Sequence, residues 1–119
     1  MLLSVIVPTW NSVENLRSFL ESWVASGAET TRLVVVDDGS GDGTLSLLAR
    51  SAGHPSLLFA RQSNAGPGSA RNFGLSAIDT PYVTFADVDD SIDWLALSRV
   101  ALQIQEAPAN RLSHQRLRK

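Results

Sequence analysis

The sequence predicts an α/β fold, with a mostly parallel sheet of about four strands and helices on both of its faces. Short strands that are apolar throughout alternate along the chain with amphipathic helices, which is typical of parallel strands covered on both faces. Hydrophobic residues make up 44% and charged residues 18% of the 119 residues. This composition can build one folded domain with its own core.

The first predicted unit is a strand followed by a helix. The β-branched run at 2–7 stops at Pro8, as a buried strand does. Asn11, with Glu14 three positions later, is a candidate cap for the helix, which we expect to end at Gly27. Its apolar side chains recur at helical spacing: Leu16, Phe19, Leu20, Trp23 and Val24.

The second predicted unit repeats this order. An all-apolar strand at 33–36 leads into Asp37-Asp38-Gly39, and Asp42 is placed to cap a helix that ends at Gly53. One face of this helix carries Leu45, Leu48, Ala49 and Ala52. A third strand follows at 57–60.

Two further helices and one strand complete the predicted fold. The loop 63–68 leads to a helix through Ala70, Phe73, Ala77 and Ile78, and a fourth strand at 82–86 precedes Asp87-Val88-Asp89-Asp90. Residues 92–105 are predicted to form the last helix, with buried candidates at Leu95, Val100, Leu102 and Ile104. The basic stretch 107–119 lacks this periodicity, so we expect a domain at 1–106 followed by a frayed tail.

Bulk properties exclude several classes of function. A net charge of −2 and a pI of about 5.5 give no basic field for nucleic acid. The absence of cysteine excludes thiolate catalysis and Cys-ligated zinc. No apolar run approaches the ~20 residues of a membrane helix, and the N-terminus lacks the features of a signal peptide. We therefore expect a cytoplasmic protein, in which a free sheet edge makes a homodimer an alternative to the monomer.

Polar residues collect where the predicted strands end, which is where parallel sheets bind ligands. The carboxylates of Asp87, Asp89 and Asp90 repel one another unless a cation or a set of donors compensates, and Mg²⁺ or Mn²⁺ suits such oxygen ligands. The alternative is an acidic turn in which Asp90 caps the following helix. Asp37 and Asp38 bind a close-approaching ligand or cap the local backbone, and Trp10 is either a core residue or the wall of a base pocket.

Two glycine-rich segments need comparison with phosphate-binding loops. The segment 39–43 does not follow the dinucleotide-binding pattern, and 66–71 has arginine where that pattern requires its third glycine. Neither segment contains the lysine of a Walker A loop. A dinucleotide-binding fold and a P-loop nucleotidase are both disfavoured.

Four segments, in order over about the first 100 residues, resemble the family 2 glycosyltransferases. They are SVIVPTWN at 4–11, VVVDDGSGDGT at 34–44, NAGPGSARNFGL at 64–75 and FADVDD at 85–90. The resemblance implies a Rossmann-like GT-A fold, of which this chain would be the nucleotide-binding half. Members of this family bind a nucleotide-diphospho-sugar through a metal ion.

The resemblance also implies roles for individual residues. Pro8, Thr9 and Trp10 would border the nucleobase and ribose, although many relatives have a different aromatic residue at the last position. Asp38 would accept a hydrogen bond from the base, commonly uracil, with Asp37 beside it. Gly66 and Arg71 would lie along the nucleotide, with Arg71 a counter-charge for the diphosphate. Asp87 and Asp89 would form the D-x-D pair that holds Mn²⁺ or Mg²⁺, and Asp90 would point toward the sugar or the following helix.

The implied activity is inverting glycosyl transfer from a UDP-sugar to a carbohydrate or lipid-linked acceptor, in a parent protein that is cytoplasmic or peripheral at the inner face of the membrane. The family's catalytic base is expected beyond residue 119, so we expect only the donor half here. One alternative is a non-catalytic nucleotide-binding or interaction module derived from such an enzyme. A receiver-like signalling domain is disfavoured, because the first strand lacks a following acidic pair and Lys119 is the only lysine.

Overall fold

Strands and helices alternate strictly along residues 1–106, the part of the chain that the computed structural model describes. The predicted basic tail at 107–119 lies outside the described residues. The elements are β1 (Leu3–Thr9), α1 (Val13–Ser26), β2 (Thr31–Asp37), α2 (Thr44–Ser51), β3 (Leu57–Arg61), α3 (Pro67–Ala77), β4 (Tyr82–Phe85) and α4 (Trp94–Glu106).

The four strands form one parallel sheet in the order β3-β2-β1-β4. In register, Val5 of β1 lies opposite Leu33 of β2 and Thr84 of β4. The predicted α/β fold with a four-stranded parallel sheet is therefore confirmed. Because all strands run in the same direction, the loops that follow β1, β2 and β4 meet at one edge of the sheet.

Helices cover both faces of the sheet, as predicted. On one face, Val5 and Val7 of β1 belong to a core that also contains buried residues of α1, α2 and α4. On the other face, Ile6 packs in a second core with Ala70 of α3. Val5, Ile6 and Val7 are all fully buried, and burial of each such side chain contributes about 1.5–3 kcal/mol. This two-sided burial explains why the strand is apolar throughout.

Two buried tryptophans fix α1 and α4 against the sheet. The indole N–H of Trp23 donates to the carbonyl oxygen of Thr31 at 3.0 Å, and that of Trp94 donates to the Ser22 hydroxyl at 2.9 Å. Trp94 also packs edge-to-face on Phe19, with ring centroids 5.6 Å apart. These contacts hold the start of α4, and with it the loop that carries the acidic residues after β4.

Several predictions of helix faces and ends are wrong. The buried side of α2 is formed by Thr44, Leu47 and Leu48, so Leu48 is buried as predicted, whereas Leu45, Ala49 and Ala52 are exposed. Because α2 has only eight residues and contains adjacent leucines at 47 and 48, its hydrophobic pattern is compatible with more than one buried face. Packing on the sheet determines which face is buried. The large apolar side chains that were predicted on helix faces but are exposed are Val24, Leu45, Phe73, Leu95, Val100 and Leu102.

The last helix begins at Trp94 rather than at residue 92, because Asp93 caps it. The Asp93 carboxylate accepts a hydrogen bond from the backbone N–H of Ala96 at 3.0 Å, the pattern of an N-cap residue. The buried positions of α4 are then Trp94 and Ala101. Within residues 1–106, no helix is both long enough and apolar enough to cross a membrane.

Gly74 sets the distance between α3 and the sheet. A Cβ atom at this position would lie 2.5 Å from Cγ2 of Ile6, so a larger side chain would displace a fully buried residue of the central strand. The predicted helix face of α3 omitted this contact, because a glycine adds nothing to a hydrophobic pattern.

We predict that Gly74→Ala destabilises the protein by about 1–3 kcal/mol, the usual cost of overpacking. Helix propensity alone would stabilise the variant by about 1 kcal/mol. The sign of the change in unfolding free energy therefore tests whether a Cβ at position 74 clashes with Ile6. Urea unfolding measures it. Gly68→Ala is the matched control in the same helix, because a Cβ at that position meets no atom within 4 Å. Equal stability of the two variants would contradict this packing.

Candidate functional site

A cleft of about 260 Å³ opens at the edge of the sheet where the predicted site residues lie. Its lining comes from the ends of β1, β2 and β4 and from the first residue of α3: Pro8, Thr9, Trp10, Asp38, Pro67, Asp87 and Val88. We call it the Trp10 cleft. Five of the ten predicted site residues line it, although their segments are far apart in the sequence.

Trp10 forms an exposed wall of this cleft. It is the residue after β1, and 54% of its surface is accessible, whereas Trp23 and Trp94 are buried. The interpretation of Trp10 as a core residue is therefore wrong. Beside it, Thr9 is 3% exposed, and its hydroxyl has no hydrogen-bond partner among residues 1–106. Buried hydroxyls are normally paired, and this oxygen has less than 1 Å² of accessible surface, so it does not face the cleft.

Asp38 joins the end of β2 to the loop that precedes α3. Its Oδ1 accepts hydrogen bonds from the Gln62 side chain and the Ala65 backbone, both at 2.8 Å, and its Oδ2 accepts one from the Gly66 backbone at 2.9 Å. The Gln62 bond, followed by that of Ala65, lowers the pKa of Asp38 below its ordinary value of 3.8. The carboxylate is thus ionised at neutral pH and fixed in position.

Asp37 does not line the cleft, although it was predicted to contribute to the same site as Asp38. It is fully buried. Its Oδ1 accepts a hydrogen bond from the Ser40 backbone at 3.1 Å, and its Oδ2 lies 3.9 Å from Nε of Arg61. The structure therefore favours the alternative in which this aspartate holds the local backbone.

Gly66 and Arg71 lie at the start of α3, beside the cleft. Gly66 precedes the helix with a φ of 97°, a conformation that side chains rarely adopt, and directs its N–H to Asp38. One turn later, Nη2 of Arg71 lies 3.4 Å from Oδ1 of Asp87. Arg71 is thus placed between the helix start and the acidic residues after β4.

The acidic turn, which we define as residues 87–90, gathers three carboxylates. One oxygen from each of Asp87, Asp89 and Asp90 can be chosen so that all three lie within 4.8 Å of one another. Asp90 accepts a hydrogen bond from the Asp87 backbone at 2.8 Å and donates its own N–H back to the Asp87 carbonyl at 2.9 Å. Since Asp93 caps α4, the alternative in which Asp90 caps that helix is wrong.

The chemistry of this donor set suits a hard divalent cation. All three ligands are carboxylate oxygens, and two of the three side chains are exposed, so room remains for water and phosphate oxygens. Asp89 has no hydrogen-bond or ion-pair partner among residues 1–106. The predicted metal pair, Asp87 and Asp89, lies here, and the structure adds Asp90.

Sequence reasoning missed two residues that support the site, Gln62 and Ser40, and it predicted a helix-capping role for two others, Asn11 and Asp42. Gln62 was not singled out, and neither was Ser40, whose hydroxyl accepts the backbone N–H of Asn11 at 2.8 Å. Asn11 does not cap α1, because its side chain accepts the Gly41 N–H instead. Asp42 accepts from the Thr44 hydroxyl and the Val13 backbone, which together lower its pKa, so it joins the starts of α1 and α2.

A larger cavity of about 390 Å³ lies between β4 and α4. Its lining is mostly apolar, and it contains none of the ten predicted site residues. Because specific recognition of a polar ligand needs convergent polar groups, the smaller Trp10 cleft is the better candidate.

These features define a class of protein: a parallel α/β domain with an aromatic cleft, a fixed carboxylate and a candidate cation site at the carboxyl edge of its sheet. The sequence model of glycosyltransferase family 2 matches residues 4–117. The chain belongs to this family, which confirms the resemblance.

Curated relatives extend well beyond the matched region. The glycosyltransferase YibD of Escherichia coli is 32% identical over 91 residues, which are 76% of this chain and 26% of YibD. The glycosyltransferase GlyA of Streptococcus pneumoniae is 38% identical over 92 residues, which are 76% of this chain and 13% of GlyA. The chain therefore spans about a quarter or less of each of these relatives.

Solved structures share the fold. The crystal structure of Staphylococcus aureus TarS in complex with UDP-GlcNAc matches with a TM-score of 0.79 and 34% identity, over 89% of this chain and 32% of that one. The mannosyltransferase PcManGT from Pyrobaculum calidifontis, in complex with GDP-Man and Mn²⁺, matches with a TM-score of 0.77 and 25% identity, over 90% and 33% of the two chains. The Rossmann-like GT-A fold is confirmed.

We predict that Asp38→Asn reduces stability at pH 7 and flattens the dependence of stability on pH in acid. The folded pKa of Asp38 is lowered below its ordinary value of 3.8, so the ionised group stabilises the wild type above that unfolded value, and this contribution is lost as the pH falls through the folded pKa. Urea unfolding from about pH 2 to pH 6 covers this window. Glu21→Gln, at an exposed position in α1, should retain the wild-type profile, and a wild-type profile in Asp38→Asn would contradict the prediction.

Proposed function

We propose that this chain binds a nucleotide-diphospho-sugar, specifically a UDP-sugar, together with a divalent cation, as the donor half of an inverting glycosyltransferase. The observation that carries the proposal is the Trp10 cleft, because one cleft joins an aromatic wall, the fixed carboxylate of Asp38 and Asp87 of the acidic turn. The other two carboxylates of the turn, Asp89 and Asp90, line an adjacent pocket that shares Val88 with the cleft. An aromatic wall and a hydrogen-bond acceptor suit a nucleobase, and the carboxylates suit a cation that can in turn bind a diphosphate.

The nucleobase is assigned to Trp10 and Asp38. An exposed indole offers a stacking surface for a base. Asp38 accepts three hydrogen bonds, whereas two carboxylate oxygens offer about four acceptor positions, so Oδ2 can accept one further N–H. The imide N–H of uracil is such a donor. The choice of uracil over guanine also rests on TarS, which binds UDP-GlcNAc and is more similar in sequence than PcManGT.

We assign two partners to the diphosphate: the Arg71 guanidinium and the cation that the acidic turn would hold. The Arg71 guanidinium is 37% exposed beside Asp87, so it can also contact phosphate oxygens. Asp87 and Asp89 would hold Mn²⁺ or Mg²⁺, with Asp90 as a third candidate ligand. When bound, such an ion neutralises charge on the departing nucleoside diphosphate. The PcManGT structure, which contains GDP-Man and Mn²⁺, supports a divalent ion.

Complete sugar transfer also needs an acceptor site and a base that deprotonates the acceptor hydroxyl. We assign no residue of 1–106 to that base, and we propose that other parts of a longer polypeptide supply it and a site for the carbohydrate or lipid-linked acceptor. The chain spans 26% of YibD and 13% of GlyA. A non-catalytic nucleotide-binding module is the second candidate for the chain by itself. The cytoplasmic location and the homodimer stay predictions.

We predict that the chain binds UDP more tightly with Mn²⁺ than without it, by about tenfold or 1.4 kcal/mol, and that Asp89→Ala abolishes this difference by removing a metal ligand. Calorimetry with UDP and GDP, each with and without Mn²⁺, measures it. Glu21→Ala, on the exposed face of α1, is the control and should retain the Mn²⁺ effect. Tighter binding of GDP would overturn the choice of uracil, and Mn²⁺-independent binding would overturn the cation site.

We predict that UDP protects Trp10 from a collisional quencher. Of the three tryptophans, Trp23 and Trp94 are at most 2% exposed, so acrylamide should quench mainly the fluorescence of Trp10. Trp10→Ala should weaken UDP binding by about 1–3 kcal/mol, the range for loss of a base-stacking partner. Trp10→Phe keeps an aromatic face and should bind more tightly than Trp10→Ala. If UDP binds without changing the quenching, the base lies elsewhere.

A further inference from the structure

We infer that Asn11 is a positioning residue of the donor site, which fixes Trp10 by joining the loop after β1 to the loop after β2. The inference rests on the proposed function, because Trp10 is the residue assigned to the nucleobase. Asn11 does not line the Trp10 cleft, so we expect it to act through its neighbour.

The backbone around Trp10 is attached to the loop at 38–42 on both sides of the tryptophan. Before it, the carbonyl oxygen of Thr9 accepts the N–H of Asp38 at 2.8 Å. After it, the N–H of Asn11 donates to the Ser40 hydroxyl at 2.8 Å. Since 54% of Trp10 is exposed, packing covers less than half of the side chain. The backbone attachments on either side must supply much of its fixed position.

Asn11 has a backbone conformation that few residues adopt. Its φ of 48° is in the left-handed region, and among residues 1–106 the other residues with positive φ are glycines. Asparagine tolerates this conformation better than most residues. The left-handed turn separates the end of β1 from the start of α1, and it allows Trp10 to face the cleft while the next side chain faces the second loop.

The side chain of Asn11 makes a second hydrogen bond to the loop at 38–42, in addition to the bond made by its backbone N–H. Its Oδ1 accepts the N–H of Gly41 at 2.8 Å, next to the Ser40 hydroxyl that accepts its own N–H. The two bonds bind adjacent residues of one loop, so they restrict both translation and rotation of the turn. Removal of the side chain would leave one of the two.

The loop that receives these bonds is itself fixed. The backbone N–H of Ser40 donates to Asp37 at 3.1 Å, and Arg61 donates to the carbonyl oxygen of Ser40 at 3.0 Å. Asp42 accepts the N–H of Val13 at 3.0 Å, which secures the start of α1 on the far side of Asn11. A fixed loop can therefore hold Trp10 in one orientation before nucleotide binds, which lowers the entropic cost of binding.

The experiment compares Asn11→Gly, which tolerates the positive φ but lacks the side-chain bond, with Asn11→Asp, which keeps the acceptor at Oδ1. Acrylamide quenching of the unliganded proteins reports the exposure of Trp10. Calorimetry measures the affinity for UDP with Mn²⁺. Calorimetry with pyrophosphate and Mn²⁺ is the matched ligand control, because pyrophosphate has no base to contact Trp10.

We expect acrylamide to quench the fluorescence of Asn11→Gly more strongly than that of the wild type. The variant should bind UDP about tenfold more weakly. Its affinity for pyrophosphate should be unchanged. Asn11→Asp should restore most of the affinity for UDP. Wild-type quenching and UDP affinity in Asn11→Gly would overturn the inference, as would equal losses for UDP and pyrophosphate. If the wild type binds no UDP, the proposed function fails, whereas the quenching of unliganded protein still tests the positioning of Trp10.

Discussion

The parallel pairing of β1 with strands on both of its sides is the constraint on which the rest of the structure depends. It brings the loops after β1, β2 and β4 to one edge of the sheet, and two of these loops are rich in aspartate. The seven carboxylates at the ends of β2 and β4 and in the loops after them belong to Asp37, Asp38, Asp42, Asp87, Asp89, Asp90 and Asp93. Like charges held close together oppose ionisation and folding unless other groups compensate. The local architecture at this edge follows from that compensation.

Backbone N–H groups and two arginines supply most of the compensation. Asp38 takes the N–H groups of the loop before α3, and Asp42 takes those at the starts of two helices. Arg61 lies beside Asp37, and Arg71 lies beside Asp87. All of these interactions except the bond from Thr44 to Asp42 also join segments that are distant in the sequence, so the groups that compensate the charge also position the loops. Asp89 has no such partner among residues 1–106.

The sequence predicted the order of elements, the parallel sheet and the edge that carries the site, because these depend on continuous apolar runs and on motif order. It failed where several local solutions have similar energies. A cap at Asn11 and a cap at Asp90 are each plausible from spacing, and a helix cap contributes only about 1 kcal/mol. Asn11 does not cap α1 because it bonds instead to Ser40 and Gly41, which lie 29 and 30 positions away. No local sequence pattern contains such a contact. The roles assigned to individual site residues came from the family resemblance, whereas composition and spacing predicted only a ligand-binding acidic edge.

The two acidic groups at this edge show why aspartates occur there in close succession. In the first group, buried Asp37 holds its own loop through Ser40, and this leaves Asp38 to reach across to the loop before α3. In the acidic turn, Asp90 bonds the backbone of Asp87 and closes the turn, which leaves Asp89 exposed at its tip. In each group, therefore, one carboxylate (Asp37 or Asp90) holds the local backbone, and that backbone positions the other carboxylate (Asp38 or Asp89). In the acidic turn a stability measurement would separate the two roles, because Asp90 holds the backbone of Asp87 whereas Asp89 has no partner among residues 1–106. In the first group it would not, because Asp38 also accepts backbone N–H groups.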